Sequence, residues 1–223
     1  MVLVVYIVSN QMGEVFMKKR IALLIIVVLS LGVFSSCTRK QLDKKPVIYL
    51  YPEQKTEVSV SLEYAGELTC TYPSYDNGWK VTAEPDGTLY DVNGLQYNYL
   101  YWEGLSSAKM DFSKGFVVAG EDTAAFLEDS LAKLGLTREE ANEFIVYWLP
   151  QMESNPYNLI SFQGAAYTDS AVLHVSPNPD TIIRVFMAVK PLDKYMEVEE
   201  QTLTAPERKG FTVVEWGGNY IER

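Results

Sequence analysis

The chain has 223 residues, 48% hydrophobic and 22% charged, and its 19 basic and 29 acidic residues leave a formal charge of −10. That is ordinary globular composition with room for one sizeable core, which excludes a disordered chain and points to one domain plus a leader. Setting aside Lys18, Lys19 and Arg20 makes the remainder more acidic still, a field that repels phosphate backbones and excludes nucleic acid as a partner.

Met17-Lys18-Lys19-Arg20 followed by "IALLIIVVLSLGVFSSC" has the layout of a secretory signal: a basic start, an apolar stretch and small residues at the end. The apolar stretch, Ile21 to Phe34, is shorter than the ~20 residues that span a bilayer. Residues 1–36 are therefore read as a signal peptide. Residues 1–16 carry a separate apolar patch, "VLVVYIV", that has no place in such a signal, so Met17 is the expected initiator and residues 1–16 an upstream extension. The competing arrangement is a two-segment membrane anchor.

Phe34-Ser35-Ser36-Cys37 resembles the bacterial lipoprotein signal, in which an apolar residue, usually Leu, and two small ones precede a cysteine that is diacylated and exposed by cleavage. The resemblance implies lipid attachment at Cys37, a palmitate-type anchor, and a place on the cell membrane or outer membrane facing away from the cytoplasm. Acyl chains supply such anchoring at ~0.8 kcal/mol per buried CH₂. Residues 37–45 are the expected lipidated tether and residues 46–223 a single domain. The alternative is an uncleaved anchor with Cys37 passive. A lipidated Cys37 leaves Cys70 without a disulfide partner, and Cys70 is expected to be a small buried hydrophobe in a strand.

From Lys45 the pattern is strand-rich, opening with "KPVIYLYP". Val58, Val60, Leu62 and Tyr64 alternate with Ser59, Ser61 and Glu63, a period of two that separates a buried from a wet face. Trp79, Val81 and Ala83 alternate in the same way before the turn "PDG" (85–87), and "TLYDV" completes a hairpin. Further strands are read in "LQYNYLYWEG" (95–104) and "KGFVVAG" (114–120).

The period then becomes helical. Ala125, Phe126, Leu127, Leu131 and Leu134 predict a helix over 122–134, with Asp122 as N-cap and Gly135 as its stop. Thr137 and Glu140 form a capping box for a second helix carrying Ala141, Phe144, Ile145, Trp148 and Leu149, ended by Pro150. Strands resume in "NLISFQG", "AAYTDSAVLHVS", "TIIRVFMAV" and "GFTVVEWGG", with residues 190–210 expected as a surface loop.

The strings "KPVIYLYPE" (45–53), "GWKVTAEPDG" (78–87), "YNYLYWEG" (97–104), "KGFVV" (114–118), "FIVYWLP" (144–150), "RVFMAV" (184–189) and "GFTVVEWGG" (210–218) resemble an uncharacterised family of bacterial and fungal proteins. The resemblance covers residues 45–218. It implies one domain unit and no mechanism.

Candidate chemistry is sparse. His174 is the only histidine, placed in the strand "AVLHVS", so any Ser-His-Asp or Cys-His catalysis would pass through a residue better read as a partly exposed strand histidine. His and Cys metal sites lack ligands, and neither a metal nor another cofactor is expected. Glu103 in "YLYWEG" and Glu215 in "VVEWGG" each stand beside a tryptophan in a hydrophobic strand. Such an acid can act as a general acid with its fellow as base or nucleophile, as glycoside cleavage requires, while Trp102, Trp216, Tyr99 and Tyr101 stack on sugar rings and Arg184 joins them as a ligand-binding residue. The competing reading makes Glu103 a strand-end acid and pairs Glu215 with Arg184 inside the core. The aromatic rows form either a binding face or, covered on both sides, core filling.

The expected fold is α+β: a largely antiparallel sheet or sandwich with one inserted αα-hairpin. The expected function is a lipid-anchored extracytoplasmic domain with a binding or structural role at the cell envelope, its partners the membrane and a glycan or envelope protein. The alternative is a cell-surface glycan hydrolase using Glu103 and Glu215.

Overall fold

The computed structural model describes residues 40–221, so the expected leader, the Cys37 lipid site and the start of the tether lie outside the described residues. In chain order the elements are β1 (Gln41–Tyr51), β2 (Thr56–Tyr64), β3 (Gly66–Tyr72), β4 (Trp79–Ala83), β5 (Leu89–Tyr90), β6 (Gln96–Tyr97), β7 (Leu100–Ser106) and β8 (Phe116–Ala119). Then come α1 (Thr123–Lys133), α2 (Arg138–Trp148), β9 (Tyr157–Gln163), the single turn α3 (Ala165–Thr168), β10 (Ala171–Ser176), β11 (Thr181–Leu192) and β12 (Thr212–Tyr220). The fold is α+β and largely antiparallel.

Seven strands pair in the order β3-β7-β1-β12-β11-β9-β8, and five in the order β10-β2-β4-β5-β6. Among the described strands only β11 and β12 run parallel, a pairing that requires residues 193–211 to cross back along the sheet. Several bonds hold that crossing to the rest of the domain. The Gln201 side chain exchanges two 2.8 Å hydrogen bonds with the Phe162 backbone, and the Arg208 guanidinium donates to the Gly135 carbonyl.

The seven-stranded sheet is covered on both faces, which explains its sequence. One face packs Val47, Val185, Met187, Val214 and Trp216 against Leu127, Leu131, Phe144 and Trp148 of the helical pair. The other packs Ile48, Leu50, Trp102, Phe186 and Val213 against Val58, Val60, Trp79 and Val81 of the five-stranded sheet. Strands buried on both faces read as continuous apolar runs, whereas β2 alternates because its outer face meets water.

Local signals place the helices. The Thr137 hydroxyl accepts from the Glu140 backbone while Glu140 Oε2 accepts from the Thr137 N–H at 2.8 Å, the reciprocal box that fixes the start of α2. Gly135 stops α1 at φ +87°, a conformation that favours glycine. Asp122, expected as the N-cap of α1, makes no side-chain cap bond, because a 3₁₀ turn over Gly120–Asp122 leads into the helix instead.

Other expectations are corrected. β1 begins at Gln41, so most of the expected tether is already sheet: Gln41, Leu42 and Asp43 pair with Ser106, Leu105 and Gly104. "LQYNYLYWEG" breaks at Asn98–Tyr99 into β6 and β7, which belong to different sheets. "AAYT" forms α3 before β10 starts. Cys70 is exposed, because β3 is an edge strand.

Candidate functional site

The first polar centre is closed between the two sheets. Arg184 and Glu215 are register partners on the parallel pair β11–β12, and Arg184 Nε donates to Glu215 Oε2 at 2.6 Å. Trp102 Nε1 donates to Glu215 Oε1 at 3.2 Å, so both carboxylate oxygens are occupied. The side chains are 11% and 1% exposed. Burial alone would lower the guanidinium's pKa, but Glu215 beside it holds Arg184 above its ordinary value. The Tyr167 ring lies 4.8 Å from the guanidinium carbon, and burial, reinforced by Glu215, pushes its phenol up.

Asp43 extends this network, accepting from Tyr64 Oη at 2.7 Å and from Asn219 Nδ2 at 3.1 Å. Its pKa is raised: burial outweighs the two hydrogen bonds that act to lower it, and the nearby Glu215 charge adds to the rise. A carboxyl with a raised folded pKa holds its proton more tightly in the native state, so its contribution to stability falls as pH climbs from about 3.8 through the native pKa. Asp43→Asn cannot ionise and escapes that loss. The stability difference between variant and parent, read by urea unfolding, is therefore expected to move in the variant's favour between about pH 4 and pH 7. A flat difference, or one moving the other way, would remove this account of Asp43.

Glu103 lies on the opposite face of the same sheet. It follows Tyr99 and Tyr101 by alternation on β7, and both rings pack on the helical side, whereas Trp102 packs toward the five-stranded sheet. The irregular pairing of β1 around Lys45, at φ +56°, turns the Lys45 N–H to Glu103 Oε1 at 3.3 Å. The Lys45 ammonium donates to Tyr99 Oη at 3.2 Å and stands 5.0, 5.7 and 5.9 Å from the ring centres of Tyr99, Tyr101 and Tyr147. Burial, followed by the Glu103 charge, raises the pKa of Tyr101 and of Tyr147.

The structure thus brings Trp102, Arg184 and Glu215 together and separates them from Glu103, Tyr99, Tyr101 and Trp216. The two carboxylates share no cleft. Trp102 and Trp216 are wholly buried in different cores, so neither ring presents a face to a sugar. His174 stands exposed on β10, with Nε2 3.1 Å from Glu63. Among the described residues no cluster of His, Cys, Asp or Glu is arranged to hold a metal ion, and no helix is long and apolar enough to cross a membrane.

A third grouping was invisible as a unit in the sequence. Tyr49 and Tyr51, near the end of β1, meet Asp86, Gly87 and Thr88 of the β4–β5 turn, Asn98, and Glu139, Glu140 and Glu143 of α2 around a cleft of about 190 Å³. The "PDG" turn and the acidic first turn of α2 are each legible, but only the packing of helices on sheet brings them together.

The fold and its charged interior define a three-layer, β-rich α+β domain whose most deeply buried acid is engaged in structure. A comparison with known proteins finds the uncharacterized protein in bglA 3'region of Butyrivibrio fibrisolvens, 52% identical over 65 residues, which are 28% of this chain and 67% of that protein. The chain belongs to the same uncharacterised family. No described family pattern and no solved structure matches it.

Proposed function

We propose that the chain is a lipid-anchored extracytoplasmic domain, tied through Cys37 to the outer side of a membrane, with a binding or structural role at the cell envelope. The observation that supports this reading is the start of β1 at Gln41. Only Thr38, Arg39 and Lys40 separate it from Cys37, a reach of at most about 14 Å, so an acyl anchor would hold the folded sheet close to the headgroups. The eleven residues of β1 then carry the chain ~33 Å to Tyr51, at the far end of the sheet. A glycan hydrolase working through Glu103 and Glu215 draws no support from the geometry, since those carboxylates stand on opposite faces and Glu215 is closed in.

Cys37→Ser is the test. The variant is expected to lose incorporation of labelled palmitate and to leave the membrane fraction or stall in processing. Incorporation unaffected by the change would sink the lipid-anchor reading.

A further inference from the structure

The outer face of the five-stranded sheet is polar, and a groove crosses it. Ser59 and Ser61 of β2 and Lys80 and Thr82 of β4 alternate with buried residues, so they point away from the core. Ser176 stands opposite Ser59, and Ser59 opposite Lys80, in a row across three strands. Three hollows of about 440, 250 and 500 Å³ adjoin there, and each has Lys80 in its wall. The largest lies where the sheet forks. The Glu84 N–H donates to the Thr88 carbonyl at 2.8 Å and Thr82 pairs with Tyr90, but the pairing of β4 with β5 goes no further toward Lys80. Asp91 turns the chain away, its Oδ1 accepting from the Asn93 and Leu95 N–H groups at 2.8 and 2.9 Å. The Leu95 N–H foremost holds that carboxyl below the usual carboxylate range. Val92 stands in solvent as a result, 86% exposed, and the β5 side of Lys80 has no neighbouring strand.

A second observation is independent of that opening. Asp76 and Lys80 line the same 500 Å³ hollow with opposite charges, yet they form no ion pair, and neither side chain has a bonding partner among the described residues. Asn77, at φ +55°, turns the loop that carries Asp76 to this side. Tyr97 lines the hollow too, and its ring meets that of Tyr72, 62% exposed, at 5.4 Å, so an aromatic rim stands beside the polar groups. A hydroxyl group matches the separated charges, because it accepts from the ammonium and donates to the carboxylate. The C–H faces of a sugar ring match the tyrosines. A polyanion would meet Asp76, Asp91 and Glu57 along the groove, and a polycation would meet Lys80, so a neutral chain of hydroxyls is the better fit.

We propose that this groove binds a neutral oligosaccharide chain of the cell envelope, laid across the strands of the smaller sheet with one sugar unit between Asp76 and Lys80. The inference rests on the binding role proposed above and names its ligand class. It does not depend on the lipid anchor.

The test is calorimetric titration of the full chain, in a detergent without a sugar headgroup, with cellotetraose and, separately, with N-acetylated chitotetraose. Binding of cellotetraose alone supports recognition through hydroxyls, binding of the chitin fragment alone recognition that includes the acetamido group, and binding of both the shared ring and hydroxyl chemistry. Lys80→Ala and Asp76→Ala are each expected to bind about tenfold more weakly, a change of ~1.4 kcal/mol. Both residues are exposed, so the fold should survive, which an unchanged thermal unfolding curve checks. Lys190→Ala removes the same charge as Lys80→Ala from an exposed position on β11 and is expected to leave the affinity unchanged. The proposal is overturned if neither sugar binds, if Lys190→Ala weakens binding as much as Lys80→Ala, or if Lys80→Ala and Asp76→Ala both bind like the parent. Palmitate labelling of Cys37→Ser reads the anchor separately, so a failed sugar titration leaves that result as it stands.

Discussion

Glu215→Ala is expected to lower the unfolding free energy by about 3–5 kcal/mol, a large share of what a domain stable by ~5–15 kcal/mol possesses. The cause is the guanidinium left behind. Arg184 would remain in the space between the sheets, 11% exposed, with its Nε bond gone and its Nη2 already without a partner. Trp102 Nε1 would lose its acceptor as well. Replacing both charges, Glu215→Leu with Arg184→Met, removes the uncompensated cation and should recover most of the loss, since a buried pair is often no more stabilising than apolar residues of similar volume. Urea unfolding of the two variants decides the matter. A single variant within about 1 kcal/mol of the parent would mean that the pair is not the structural tie described above.

Trp216→Ala is expected to cost about 3–5 kcal/mol by a different route, the opening of a cavity where the helices meet the sheet. Trp216 is wholly buried, and its ring meets Phe144 edge-on at 5.3 Å. Phe144 in turn packs on Trp148, whose ring approaches Gly218 so closely that a Cβ there would stand 2.7 Å from it. Sheet and helices are thus keyed together through β12. Val146 on α2 is 75% exposed and serves as the comparison: Val146→Ala should change stability by no more than ~0.5 kcal/mol. Equal losses in the two variants, measured by thermal unfolding, would argue that the helices contribute little through this contact.

Much of this architecture is legible residue by residue. Thr137 and Glu140 announce the start of α2 because a capping box is local chemistry, and Val58, Val60 and Leu62 announce a one-sided strand because their neighbours are polar. The apolar runs of β11 and β12 show that both faces of those strands are covered without showing by what. Pairing is the information that local patterns lack. Alternation places Glu103 with Tyr101 and Glu215 with Val213, but relating the two strands requires the registers of β1 with β7 and with β12. The same gap hid Cys70, whose strand differs from an interior one only in having a single neighbour, and Gln41–Asp43, whose polar side chains disguise a strand end. The cleft was hidden for a third reason: its acids serve locally as turn and helix-start residues, and their convergence belongs to the tertiary packing alone.

The pairing of β1 with β12 also has a bearing on the order in which the molecule is made. β1, the earliest of the described strands, lies inside the larger sheet, hydrogen-bonded on one side to β7 and on the other to β12, the latest of them. Until β12 arrives, Val47 to Leu50 have an open edge, and Arg184 lacks its carboxylate. The larger sheet therefore closes only once β12 is present, however early β1 and β7 have paired.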